Sequence, residues 1–187
     1  MTEQRRVVAV TSLGKVYKGM VDIPNATFRT TDLFNSPNIY WKDSKDKCFD
    51  NAVLLRDVQL FIGGSAICVK FDKVQLKLSE VIYFYDDQSA ITDDKEKMRA
   101  SSMIQKTHEH SQTVDIITTE VSNSFYHLTA TFFGLFKKKS HDKFIPLTDV
   151  KLIEIYNQDV KWFQKIVELP HKFIGVGTRH IEAIRIR

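Results

Sequence analysis

The sequence predicts an all-β protein built as two tandem copies of a small five-stranded unit, and three observations carry that reading. The block Leu55-Arg56-Asp57-Val58-Gln59-Leu60 returns as Leu147-Thr148-Asp149-Val150-Lys151-Leu152. Runs of β-branched and aromatic residues with a period of two recur along the chain between short turn signals. Matching blocks keep the same order in both halves: Val8 to Thr11 answers Ile116 to Thr119, and Ser79 to Phe84 answers Ile181 to Ile186 with Glu80 on Glu182. These matches need different shifts, which places extra residues between Tyr156 and Lys172 in the second copy and an insertion near Thr30 to Asp50 in the first.

In the first unit, Arg6 to Thr11 reads as a strand, and Lys15 to Ile23 as a second after the Leu13-Gly14 turn. Ala52 to Ile62 and Ala66 to Leu78 follow, joined through Gly63-Gly64, a hairpin signal because glycine takes positive φ without a Cβ penalty. Val81 to Tyr85 closes the unit. The second unit reads Val114 to Glu120, Ser124 to Phe136, Phe144 to Tyr156, Trp162 to Leu169 and Ile181 to Ile186. Pro146 sits near a strand start, where a missing N–H is tolerated. The expected organisation is a first unit over 1–87 with an inserted loop at 30–50, a linker over 88–112, and a second unit over 113–187. In the linker, acids precede Lys95, Lys97, Arg99 and Lys106, which suits a short helix over Asp93 to Lys106; a flexible linker is the competing reading.

Hydrophobic residues make up 43% of the chain, thirteen of the 187 residues are Phe, and seven Gly and four Pro argue against disorder. The net charge of +4 lies wholly in the second half, since residues 1–93 carry twelve basic and twelve acidic side chains. That surplus permits contact with a polyanion without demanding it. Cys48 and Cys68 have no CxxC spacing and read as reduced thiols. No apolar run approaches the roughly 20 residues of a membrane span, so the expectation is a cytoplasmic protein without a membrane partner.

Strand, turn, strongly bent strand, Asp-rich turn and short final strand are the layout of small five-stranded barrels. Val8-x-Val10 followed by Gly14-Lys15-Val16-Tyr17-Lys18-Gly19-Met20 resembles the first Sm motif, and Gly175-x-Gly177-Thr178-Arg179-His180-Ile181 resembles the second motif of bacterial Hfq-type proteins. Arg29 to Asn35 and Phe144 to Val150 also resemble small uncharacterised bacterial Sm-like domains. The resemblance spans about two thirds of the chain. It implies tandem Sm-like or SH3-like barrels that assemble by pairing edge strands, a solution to the hazard of an unpaired edge. It also implies RNA binding through the second copy, because Leu78-Ser79-Glu80 stands in the first copy where a basic residue and histidine belong.

Two surfaces are candidates for contacts. Lys137, Lys138 and Lys139, with Arg179, His180, Arg185 and Arg187, could neutralise phosphates while Tyr126, Phe136 or Trp162 stack bases; a solvated basic turn is the plainer reading. The insertion brings Phe34, Tyr40 and Trp41 together with Lys42, the make-up of a protein hot spot, or else those aromatics fold back to cap the first unit. His108-x-His110 in a polar segment gives no zinc geometry, so no metal or cofactor is expected. Asp57 and Asp149 read as turn-forming residues near strand ends, and no phosphate loop, nucleophile elbow or HExxH spacing is present. The function expected is therefore a non-enzymatic binding or scaffolding module, a homo-oligomer or one bound to a protein partner. An RNA-binding regulator using the second copy is the alternative.

Overall fold

The computed structural model describes residues 3–25, 28–36, 48–62, 68–87, 111–133, 143–170 and 173–187. Five strands form the first unit: β1 (Glu3–Thr11), β2 (Lys15–Ile23), β3 (Ala52–Ile62), β4 (Cys68–Lys77) and β5 (Val81–Asp86). A helix α1 (Thr30–Asn35) lies between β2 and β3, and one 3-10 turn (Leu78–Glu80) joins β4 to β5. The second unit contains β6 (Ser111–Thr118), β7 (Ser124–Phe133), β8 (Phe144–Gln158), β9 (Lys161–Val167), β10 (Ile174–Gly177) and β11 (Ile181–Ile186), with a 3-10 turn Thr178–His180 before the last strand. The proposed linker helix, the Gly63-Gly64 turn and Phe136 lie outside the described residues.

The all-β class is as expected, and the eleven strands among the described residues join in one antiparallel sheet. Its order is β11-β6-β7-β8-β10-β5-β1-β2-β3-β4, with β9 on β8. On the side away from β7, the fifteen-residue β8 takes two partners: Phe144 to Leu147 pair with β10, and Leu152 to Gln158 pair with β9. Together β9 and β10 do for β8 what β4 alone does for β3. Ala52 faces Lys77 as Phe144 faces Gly177, and Phe61 faces Cys68 as Ile153 faces Ile166. β10 is not among the strands the sequence predicts, because its two glycines in four residues fall in the stretch that resembles the second Hfq-type motif.

Pairing repeats residue for residue, in a register that corrects two of the sequence matches. Thr11 faces Val81 as Thr118 faces Ile181, so Thr118 rather than Thr119 answers Thr11, and His180 rather than Glu182 answers Glu80. Thr11 and Thr118 are both buried, and each ties its hairpin through its hydroxyl: Thr11 Oγ1 donates to the Lys15 carbonyl at 3.1 Å, and Thr118 Oγ1 accepts from the Tyr126 N–H at 2.9 Å. The repeated Asp has a different role from the turn residue expected. Asp57 (φ 49°) and Asp149 (φ 51°) stand in mid-strand, where the β2–β3 register slips between Lys18 and Met20 and the β7–β8 register slips between Thr129 and Thr131. Each is a β-bulge, in which two residues oppose one and the strand bends. Asp is one of the few non-glycine residues that accept the left-handed conformation there.

Two apolar cores flank the sheet. One gathers Val7, Ala9, Val21, Leu33, Phe34, Leu55, Leu76 and Phe84; the other gathers Val10, Tyr83, Ile116, Leu128, Leu147, Leu152 and Val176. Val7 to Val10 of β1 and Val81 to Phe84 of β5 contribute to both, so these stretches are buried on both faces, which is why they read as unbroken apolar runs. Phe144 crosses from the second unit into the first core.

Candidate functional site: a strand junction and two open edges

The two units meet where β10 pairs with β5, Gly175 opposite Phe84 and Val176 opposite Tyr83. Both glycines of the Gly-x-Gly segment are demanded by this approach. A Cβ at position 175 would lie 2.3 Å from the Phe84 ring, and one at 177 would lie 2.4 Å from the Val81 carbonyl oxygen. Phe84 is in turn stacked on Phe34 of α1, with ring centroids 4.0 Å apart, and Phe144 meets both rings edge-on at 5.3 and 5.6 Å. On the other face, Tyr83 meets Tyr126 edge-on at 5.2 Å, and burial pushes the Tyr126 hydroxyl up to about 12.

Polar contacts lock the same seam. The Asn35 side chain donates to the Phe144 carbonyl (3.2 Å) and accepts from its N–H (2.8 Å). Lys143 Nζ donates to Asn51 Oδ1 at 2.7 Å. The two 3-10 turns touch through His180 Nε2 and the Ser79 carbonyl, 2.8 Å apart. Beside them the Ser12 hydroxyl, donating at 2.7 Å, together with Ser79, Arg179 and His180, holds the Glu80 carboxyl below the usual range.

Of the residues expected to contact RNA, His180 is buried at this internal seam, whereas Arg179, on the same 3-10 turn, is exposed. Arg185 is exposed on β11, and Lys137, Lys138 and Lys139 lie outside the described residues. Arg187 pairs with Asp115 at 2.6 Å, and Thr129 and Arg187 lower the Asp115 carboxyl. Trp162 is exposed and rests on Phe125, whereas Tyr126 belongs to the second core, so the two form no common stacking platform. In the insertion, Phe34 is a core residue with no exposed surface, as the capping alternative requires; Tyr40, Trp41 and Lys42 lie outside the described residues. Among the described residues no group of three or more His, Cys, Asp or Glu could hold a metal ion, and no helix is long and apolar enough to cross a membrane.

Among the described residues the sheet ends at β4 on one side and β11 on the other. Both carry exposed apolar side chains: Val69 and Phe71 on β4, and Ile184 (41% exposed) and Ile186 (49%) on β11. The sequence did not single these edges out, although the identity of β4 and β11 with the two halves of the junction is implicit in the repeat. Comparison of the chain with protein-family models, curated proteins and solved structures finds no match to any of them.

Proposed function

We propose that this chain is a non-enzymatic binding or scaffolding module that works by pairing strand edges with another protein chain, each repeat coiling round its own core as a small Sm-like or SH3-like barrel. One observation carries the reading: the chain already joins its two repeats by laying β10 along β5, and among the described strands the counterparts of those two, β4 and β11, stand at the ends of the sheet, β4 paired with β3 alone and β11 with β6 alone. Main-chain hydrogen bonding along such an edge supplies affinity, and the side chains flanking it supply selectivity. Two separate cores and a bulge in the third strand of each repeat support the barrel reading.

The test is the native mass of the tagged chain isolated at its natural abundance, with absorbance at 260 and 280 nm recorded on the same peak. A discrete protein-only complex is expected. A bare 21.7 kDa chain overturns the scaffold reading, and a high 260/280 ratio abolished by nuclease replaces it with RNA binding.

A further inference from the structure

Resting on that edge-pairing reading, we infer that the occupant of the open β11 edge is the β4 edge of a second copy of this chain, in the register the internal junction uses. Strand β5 and strand β11 hold the same place in the two repeats, yet Phe84 is fully buried while its counterpart Ile184 is 41% exposed. What covers Phe84 is the other repeat, through β10 and Phe144, together with α1. No described strand does this for Ile184, because the strand that would is β4, at the far end of the sheet.

Carrying Gly175–Phe84 and Val176–Tyr83 across the repeat sets Gln75 of one copy opposite Ile184 of the next, and Leu76 opposite Ala183. One step beyond the two pairs of the internal junction, exposed Lys77, whose ammonium now lies over the Phe49 ring at 4.4 Å, comes beside exposed Glu182, which stands at the β11 register shift between Ile181 and Ala183. Opposite charges facing one another across two strands favour this register, and like charges oppose it. Residue sizes exchange in the same sense. The large Phe84 meets Gly175 inside the chain, whereas the smaller Ile184 leaves room for the side chain of Gln75.

The two junctions differ in closeness. Gly177 comes so near the Val81 carbonyl that it has no room for a Cβ, whereas Lys77 carries one, so the contact between copies is a looser ladder than the one within the chain. The exposed lysines on β4, Lys70, Lys73 and Lys77, discourage pairing with an arbitrary strand. Such a contact is head-to-tail. It closes a ring if the rotation per copy divides a full turn and otherwise grows a filament.

The experiment follows the mass of the purified chain alone by light scattering over a concentration series, for the wild type, Lys77→Glu, Glu182→Lys and the double charge swap. The expected result is concentration-dependent association of the wild type, weakened roughly tenfold by either single change and restored by the double. Both positions are exposed, and a circular dichroism melt of each variant confirms its folding. Association that ignores all the substitutions overturns the inference and leaves another self-contact. A wild type that stays monomeric also overturns it, while the broader edge-pairing reading then stands or falls on the protein complex isolated at natural abundance.

Discussion

Strands β5 and β11 occupy the same position in the two repeats, follow nearly identical 3-10 turns, and pair with β1 and β6 in the same register. One is buried from Val81 to Phe84, and the other is exposed over most of its length. The local backbone is therefore not what buries β5; the neighbouring repeat and α1 are. Their sequences already carry the difference, since Val-Ile-Tyr-Phe-Tyr-Asp is apolar on both faces where Ile-Glu-Ala-Ile-Arg-Ile interleaves charges. A strand written for two dry faces was given them, and a strand written with charges was left at the rim.

The largest test of this comparison is Phe34→Ala. It removes a fully buried ring stacked on Phe84 and should cost about 3–5 kcal/mol in urea unfolding. Phe71→Ala on the exposed β4 edge should cost under about 1 kcal/mol, and equal losses would break the contrast between covered and open strands. Next is Gly175→Ala, whose added Cβ collides with the Phe84 ring; a loss of roughly 2–3 kcal/mol is expected. Gln75→Ala, at the matching place on the open edge, meets no backbone collision and loses its side-chain bonds to Cys48, so about 1 kcal/mol is expected. A third pair tests the repeat itself: Asp57→Val and Asp149→Val each force a β-branched residue to positive φ at a bulge, for about 1–2 kcal/mol apiece. A large difference between the two would mean that the bulges are not equivalent.

The smallest effect concerns acid. Glu80 has a lower carboxyl pKa in the folded chain than the 4.5 expected when unfolded, chiefly because the Ser12 hydroxyl donates to the carboxylate. Its stabilisation is thus complete above the unfolded value and disappears as pH falls through the folded one. Melting temperature should consequently fall less steeply below pH 4.5 in Glu80→Gln than in the wild type, and an unchanged acid slope would remove the Glu80 contact from the seam's stability.

Much of the fold was legible because strand patterns are local. β3 and β11 have the bounds read from period-two alternation, and the Leu-x-Asp-Val-x-Leu block does mark equivalent strands. Two residues of the block were read by the wrong mechanism, since an Asp between apolar residues looks like a turn until the slipped register shows a bulge. The site was far less legible. Phe34, an aromatic in a polar insertion, has the same local signature whether it faces a partner or a core. The Gly-x-Gly segment looked like part of a recognition motif, and the reason for its glycines lies in Phe84 and Val81, about ninety residues earlier in the chain.

Period, β-branching and the repeated block settle in sequence alone that this chain forms antiparallel strands twice over, because side-chain alternation is a property of neighbouring residues. Which strand ends meet was decided only in three dimensions. β10 could pair with β5 because Gly175 and Gly177 let two backbones approach across residues distant in sequence, and that choice closed one seam while leaving β4 and β11 open.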